Sequence, residues 1–253
     1  MNYIDNGSIE NLNIQNIELT KVPDNKLSIF SQISNGVINN VHANNIKISN
    51  DDINSGISYV GGILGVLGSS TMKNCSVNNI EMNLNCDNSL GVGGLVGEGD
   101  RSLIENSYVY NLRFNVNNLK ITRIGGIIGY DGYGLEIKNT YTQGEIKSNT
   151  NIIGGVIGLI NGSRIYNNYS NVNIDTTGEY LGGIAGYYSG GNKPELKNNL
   201  VLGNIYTNLE TKNIDGICGD NSANVTLENN YVYEKQKING YYIEDNDLAL
   251  TFE

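Results

Sequence analysis

The sequence predicts an all-β fold, a parallel β-helix or β-solenoid of about eight coils with a repeat of roughly 30 residues. Two motifs recur along the chain at nearly constant spacing, asparagine is the most frequent residue type, and no helical periodicity is visible. The chain has 253 residues, of which 39% are hydrophobic and 17% charged, so it can bury a core. Repeats of this length that are rich in strand formers stack as coils against their neighbours.

The first motif consists of an apolar residue, two glycines, two apolar residues and a glycine. It occurs at 60–65 (VGGILG), 92–97 (VGGLVG), 124–129 (IGGIIG), 153–158 (IGGVIG), 181–186 (LGGIAG) and 214–219 (IDGICG). We expect one strand here, with glycines that adopt positive φ or allow close approach of two backbones at a corner. The leading apolar residue would face the core. Ile63 and its equivalents have the opposite parity, so either other segments cover that second face or it is an association surface, and we expect coverage.

The second motif, an apolar residue, any residue and an asparagine, follows about half a repeat later. Its asparagines are Asn11, Asn40, Asn74, Asn106, Asn139, Asn167, Asn198 and Asn229. We expect each to lie buried at a bend, with its amide bonded to the asparagines of the coils above and below in a structural ladder. On this interpretation an aspartate at any of these positions would bury a charge.

A third strand of each coil is predicted around an apolar pair such as Leu112 and Phe114. The repeats fade near residue 235. We therefore expect a solenoid domain over residues 1–235 and a C-terminal cap or linker over residues 236–253, where the sequence becomes charged.

Tyrosines at equivalent places in several coils are candidate binding residues. They are Tyr108, Tyr141, Tyr169 and Tyr231, with Tyr110 and Tyr233 two residues further on. If Val109 and Val232 point inward, alternation along the strand directs these rings outward as a column. Such a column could stack on sugar rings or on a partner protein; the simpler alternative is that the rings only stabilise neighbouring coils.

Catalytic chemistry has few candidates in this chain. His42 is the only histidine, and the three cysteines (Cys75, Cys86 and Cys218) form no CxxC pair. The sequence therefore predicts no catalytic residue, no metal site and no cofactor. A bridge between Cys75 and Cys86 is conceivable, but the odd number of cysteines does not indicate a disulfide framework. His42 is expected to be an exposed member of the tyrosine column.

Acidic residues form three short groups that could collect a calcium ion. They are Asp51 with Asp52, Asp215 with Asp220, and Glu244 and Asp245 with Asp247. No repeat has a regular Gly-Asp calcium pattern, and short acidic groups are more typical of a solvated surface. Glu105 with Lys138, and Lys197 with Glu228, align between coils and predict a surface charge ladder.

The net charge of -10 argues against a nucleic-acid partner, because phosphates would be repelled. No apolar run approaches 18 residues, so we expect no membrane insertion. The first ten residues have neither the basic start nor the apolar stretch of a secretion signal. The lack of an obvious polar cap before Ile9 suggests a segment of a longer chain.

The repeat resembles the GLUG motif of bacterial proteins, in which a GGLVG-like strand precedes an Ile-x-Asn-Ser-Tyr segment. Residues 93–97 (GGLVG) and 104–109 (IENSYV) carry this resemblance, which extends over roughly residues 55–235. GLUG repeats occur in the non-catalytic region of Gram-positive immunoglobulin A proteases, which are zinc metallopeptidases, and in surface adhesins. The HExxH motif of those proteases is absent from this sequence, so no catalytic residue is carried over.

The resemblance implies a non-catalytic accessory, binding or spacer region of a secreted or cell-wall-attached bacterial protein. Its partner would be a host protein, such as an immunoglobulin or a matrix protein, or a glycan. The alternative is a carbohydrate-binding or polysaccharide-degrading parallel β-helix. That alternative requires clustered carboxylates or basic residues on adjacent strands, whereas Asp and Glu here are scattered.

Overall fold

The computed structural model describes residues 3–20, 25–53, 55–86, 90–118, 120, 122–208, 213–220, 224–233, 235–242 and 249–250. Every regular element in these ranges is a β-strand, and the strands stack as a parallel β-solenoid of about seven turns. The predicted fold class is therefore confirmed. No helix in the described part of the chain is long and apolar enough to cross a membrane.

Two sheets with one strand per coil form two sides of the solenoid. The first sheet contains Lys26–Leu27, Tyr59–Gly61, Leu90–Gly93, Thr122–Gly125, Ile152–Gly154, Tyr180–Gly182 and Ile214–Asp215. The second sheet contains Tyr3–Asp5, Phe30–Ser34, Leu64–Gly68, Val96–Asp100, Ile128–Tyr133, Ile157–Ile160 and Ala185–Tyr188. Each of these sheets has seven strands, in agreement with about seven turns.

The third sheet forms the remaining side and contains the asparagine motif. Its strands in the first two coils are Ser8–Leu19 and Val37–Asn50. Later coils begin with Thr71–Lys73, Leu103–Glu105, Glu136–Lys138, Arg164–Tyr166, Glu195–Lys197 and Thr226–Glu228. They continue with Ser76–Cys86, Tyr108–Asn118, Tyr141–Ser148, Tyr169–Thr176, Leu200–Val201, Ile205–Thr207, Tyr231–Tyr233, Lys237–Ile238, Tyr241–Tyr242 and Ala249–Leu250.

The motifs set the register between coils. Val60 pairs with Val92, and Val92 with Ile124, so the leading apolar residues of the glycine motif form a column that is fully buried except at its last member, Ile214. All described pairings are parallel except that of Lys237–Ile238 with Tyr241–Tyr242. Ala249–Leu250 returns to parallel pairing, beside Tyr231–Tyr233.

The glycine motif forms a corner and not the single strand predicted. The chain bends at its second glycine, so the motif ends one strand in the first sheet and begins the next strand in the second sheet. Because the chain bends here, the alternation of inward and outward side chains starts again after the corner. Ile63 and its equivalents, which a continuous strand would direct outward, therefore point into the core. Ile63, Leu95, Ile127, Val156, Ile184 and Ile217 are all 0% exposed.

Lack of space explains the corner glycines. None of the motif glycines, all of which lie in described ranges, has a positive φ. A Cβ added to Gly125 would lie 2.0 Å from the Ile128 carbonyl oxygen, and one on Gly129 would lie 2.2 Å from the Val92 nitrogen. Two roles were predicted for these glycines, a positive φ and the close approach of two backbones. The structure shows the close approach.

The asparagines of the second motif are all exposed, so the predicted burial of this column is wrong. All eight have φ between 51° and 57°, the left-handed conformation that asparagine tolerates better than other side-chain-bearing residues. This conformation turns the chain and points the side chain to solvent. Several side chains still bond one another: Nδ2 of Asn40 donates to Oδ1 of Asn11 at 2.8 Å, and Nδ2 of Asn167 donates to Asn139 at 3.3 Å.

A buried polar ladder exists one residue further along the chain. Asn168, Asn199 and Asn230 are each at most 2% exposed. Nδ2 of Asn168 donates to Oδ1 of Asn199 at 3.0 Å, and Nδ2 of Asn199 donates to Oδ1 of Asn230 at 2.8 Å. In earlier coils the same position holds Cys75, Ser107 and Thr140, which are also buried. Their side chains form hydrogen bonds with the buried polar groups inside the bend. This role was predicted for the asparagines one residue earlier.

The predicted third strand continues the strand of the asparagine motif in the early coils, and Leu112 and Phe114 face the core from it. A second left-handed asparagine interrupts it five residues after the first, at Asn16, Asn45, Asn79 and Asn111. The interval of five residues between the two left-handed columns is thus constant over four coils.

Asp131 is a carboxylic acid inside the solenoid, 0% exposed. Its Oδ2 accepts hydrogen bonds from the Ser163 hydroxyl and, at 3.1 Å, from the Asn161 amide, whereas its Oδ1 has no partner among the described residues. Burial raises the pKa of this carboxyl from 3.8 to about 6, and the two donors offset part of that rise.

Asp131 should therefore make the fold less stable as the pH rises from about 4 to 6, by up to about 3 kcal/mol. Its pKa is raised on folding, so the native state binds the proton more tightly and loses that advantage as the proton leaves. We expect Asp131→Asn to flatten the stability profile over this window, measured by urea unfolding at several pH values. Asp175→Asn, at an exposed site, should keep the wild-type slope. An unchanged slope in Asp131→Asn would contradict the assignment.

Candidate binding surface

The tyrosine column lies on the outer face of the third sheet. Tyr108 pairs with Tyr141, and Tyr141 with Tyr169, so these side chains project side by side from consecutive coils. Val109 is fully buried between Tyr108 and Tyr110, which are 38% and 47% exposed. Leu200 separates Tyr169 from Tyr231 in the register, so Tyr231 and Tyr233 form a separate, half-buried group.

Ring geometry divides the column into two kinds of tyrosine. The rings of Tyr141 and Tyr169 are stacked, with centroids 4.9 Å apart and an angle of 23° between their planes. The faces that they turn toward each other are unavailable to a sugar ring. Tyr110 lies 6.5 Å from Tyr141 in a tilted arrangement and is the most exposed of the six candidates. Tyr108 and Tyr110 therefore offer the larger accessible aromatic surface.

His42 continues the tyrosine column toward the N-terminus through Ser76. It is half-buried, and its ring nitrogens are hydrogen-bonded to Ser76 Oγ at 2.8 Å and to Asn40 Oδ1 at 2.9 Å. The prediction that the His42 side chain is exposed is thus wrong. The ring closes a gap between the tyrosine column and the asparagine ladder.

A row of charged residues runs beside the tyrosine column. Glu105 bonds Lys73 at 3.0 Å and lies 3.6 Å from Lys138, while Lys197 bonds Glu228 at 3.0 Å. The hydrogen bond from Lys73 is the main cause that lowers the pKa of Glu105. The predicted surface charge ladder is therefore present. Exposed ion pairs of this kind contribute little stability, but they fix the side chains that border the tyrosines.

The described residues include no group of three or more His, Cys, Asp or Glu side chains arranged to hold a metal ion. Asp51 and Asp52 are exposed. Oδ1 of Asp215 accepts hydrogen bonds from the amides of Ile217 and Cys218 at the last glycine corner. Glu244, Asp245 and Asp247 lie outside the described residues.

The cysteines are free and buried, so the conceivable bridge between Cys75 and Cys86 is not formed. Burial raises the pKa of Cys75 to about 11 and that of Cys218 to about 12, which keeps both thiols protonated at neutral pH. Thiols in this state are poor nucleophiles.

A polar cluster between the outer faces of the first and second sheets was not predicted. It contains Tyr59, Glu98, Arg123 and Tyr130, with the Arg123 guanidinium 5.0 Å from the centre of the Tyr130 ring. Burial and, secondarily, the charge of Glu98 raise the pKa of Tyr59 to about 12. Tyr59 and Arg123 hold the same place before the glycine corner two coils apart, with Gly91 between them, and Glu98 and Tyr130 pair in register after the corner.

The sequence matches no protein-family model and no curated protein. Among solved structures, one described as "IgA1 Protease" has a similar fold, with a TM-score of 0.64 and 22% sequence identity. The similarity covers 90% of this chain but only 17% of the other, so the chain corresponds in length to a small part of that protein. At this identity the similarity establishes a shared fold.

Proposed function

We propose that this chain is a non-catalytic arm of a longer secreted or cell-wall-attached bacterial protein, in its leading form an immunoglobulin A protease-like metallopeptidase. The observation that carries the proposal is its similarity in fold, over most of its length, to part of an IgA1 protease. The GLUG-like repeat supports the same conclusion. The alternative parent is an adhesin that uses the same repeat as a stalk.

The architecture suits a spacer that also presents a surface. Adjacent coils are joined by parallel pairing in all three sheets, and the buried aliphatic columns run through the stack. Bending such an arm would break pairings and core contacts over several coils. Meanwhile the outer face of the third sheet repeats its side chains at the strand spacing of about 4.8 Å.

Cleavage assays test the non-catalytic part of the proposal. We expect the purified chain to leave immunoglobulin A1 intact, with or without added zinc, as followed by gel electrophoresis. Both ring nitrogens of His42 are hydrogen-bonded, to Ser76 and Asn40, and burial keeps the thiols of Cys75 and Cys218 protonated at neutral pH. Cleavage that survives purification and is lost on adding a chelator would overturn the proposal.

Tyr108 is the residue to change in testing whether the arm binds a host protein. If immunoglobulin A1 docks on the tyrosine column, Tyr108→Ala should weaken its binding about tenfold, because exposed aromatic anchors dominate such interfaces. Surface plasmon resonance on the immobilised chain measures this. Tyr206→Ala is the matched control, since Tyr206 is 40% exposed on the same sheet but outside the column. Equal losses in both variants, or no binding, would exclude the column as the docking surface.

A further inference from the structure

A groove runs along the outer face of the third sheet through the first four coils. It has a cavity volume of about 400 Å³ and lies where the strands turn at the second left-handed asparagine column. That column forms one wall, with Asn16, Asn45, Asn79 and Asn111. In the fifth coil Gly144 takes a different backbone conformation, with a φ of 144°, and the asparagine wall ends there.

The asparagine wall is ordered by hydrogen bonds between its own members. Nδ2 of Asn45 donates to Asn16 at 3.0 Å, Nδ2 of Asn79 to Asn45 at 3.1 Å, and Nδ2 of Asn111 to Asn79 at 2.6 Å. Each amide nitrogen has two hydrogens, so each donor in this row keeps one for a ligand. The amides are therefore held in one orientation and repeat at the coil spacing of about 4.8 Å.

The opposite wall alternates in charge from coil to coil. It is formed by Glu18, Lys47, Glu81 and Arg113, which pair in register and are all exposed. Two carboxylates and two cations cancel, although the whole chain has a net charge of -10. A ligand that followed the groove over several coils would meet a wall with no net charge, so the wall itself selects neither an anionic nor a cationic polymer.

An exposed ring, that of Tyr110, lies beside the asparagine wall in the fourth coil, next to the residues that line the groove. Tyr110 immediately precedes Asn111, pairs in register with Asn78, and continues the row of Asn44 and Asn78, whose amides are also bonded at 3.0 Å. Side-chain amides that donate and accept, exposed carboxylates and an accessible aromatic face are together suited to sugar hydroxyls and to the apolar face of a pyranose ring.

We propose that this groove binds a neutral, linear glycan whose chain runs parallel to the solenoid axis. Successive sugars would place their hydroxyls opposite successive asparagine amides, and Tyr110 would stack on the sugar that lies over the asparagine wall in the fourth coil. This site is independent of the proposed role as a protease arm, because an adhesin stalk could use it equally.

Isothermal titration calorimetry of the whole chain with cellohexaose and chitohexaose tests the proposal. We expect at least one of these neutral hexasaccharides to bind with a Kd of about 0.1–1 mM. Its affinity should change little between low and high salt, because a neutral ligand is not screened. Oligogalacturonate of the same length should bind more weakly.

Asn79→Asp is the decisive variant. It keeps a residue that tolerates the left-handed conformation but replaces the amide donor by a charge, and we expect an affinity loss of about tenfold. Asn139→Asp is the matched control: both positions have a φ of 54°, are exposed and lie within a bonded asparagine ladder, but Asn139 lies outside the groove. Tyr110→Ala should weaken binding about fivefold.

Three results would overturn the glycan proposal: no saturable binding of either neutral hexasaccharide, equal losses in Asn79→Asp and Asn139→Asp, or tighter, salt-dependent binding of oligogalacturonate. None of them bears on whether the chain is a non-catalytic arm, which the cleavage assay decides separately.

Discussion

Gly125→Ala should destabilise the fold by at least about 4 kcal/mol, among the largest effects expected of a single methyl group in this chain. Gly125 is the first glycine of its corner and ends Thr122–Gly125, the fourth strand of the first sheet in chain order. An added Cβ would lie 2.0 Å from the Ile128 carbonyl oxygen, 2.7 Å from Ile157 Cα and 2.7 Å from the Val156 carbonyl oxygen. All three are backbone atoms, so no side chain can rotate away, and two belong to the next coil.

Soluble yield and urea unfolding followed by circular dichroism measure this effect. Gly132→Ala is the control on the other side of the same corner, in the second-sheet strand Ile128–Tyr133, since its Cβ would first meet the side chain of Glu98 at 3.3 Å and that of Asp100 at 3.4 Å. These side chains are flexible, and we expect a change below about 1 kcal/mol. Comparable stability of the two variants would show that the corner can open, and close backbone approach would no longer explain the glycines.

The stack of coils was predictable because it depends on spacing alone. Motifs that recur about every 30 residues bring Val60, Val92 and Ile124 into one column whatever path the chain takes within a coil, and this column is paired and buried. The same reasoning aligned Tyr108 with Tyr141 and Tyr169. The register between coils, both in the core and on the candidate surface, could thus be predicted from the sequence.

The path within a coil was not predictable by the alternation of inward and outward side chains. Alternation holds only along an uninterrupted strand, and here glycine corners and left-handed asparagines reset it. Alternation along a continuous strand therefore assigned Ile63 to the face opposite the core, but Ile63 lies in the core. Asn106 was expected to be buried, but it is exposed. Asp131 and the groove were missed for the same reason.

The signal that would have corrected this lies in the asparagines themselves. Asn6, Asn11 and Asn16 follow one another at intervals of five residues, as do Asn35, Asn40 and Asn45, and all six are left-handed. A constant interval in a residue that tolerates positive φ predicts regular turns of the backbone, and hence exposed side chains. Ring stacking between Tyr141 and Tyr169 has no such signal, because it depends on side-chain rotamers that spacing does not determine.

Asn199→Asp should cost about 4 kcal/mol at neutral pH, whereas Asn198→Asp, one residue earlier, should cost less than about 1 kcal/mol. Asn199 is 0% exposed and its Nδ2 donates to Asn230 Oδ1 at 2.8 Å and to the Ile165 carbonyl oxygen at 3.0 Å. A carboxylate oxygen in place of Nδ2 would face two acceptors, and the charge would be buried among Asn168, Asn230 and the Ile165 carbonyl group, none of which is a cation.

The two substitutions therefore separate the exposed ladder from the buried one. Asn198 is exposed, has a φ of 55°, and bonds Asn167 at 3.2 Å, so an aspartate there keeps the backbone conformation and remains hydrated. Urea unfolding at pH 7.5 should show the large difference, and at pH 5 the deficit of Asn199→Asp should shrink because a buried aspartate takes up a proton. Equal stabilities of the two variants at pH 7.5 would mean that the bend is supported by the exposed column after all. A deficit that does not depend on pH would point instead to lost hydrogen bonds as its whole cause.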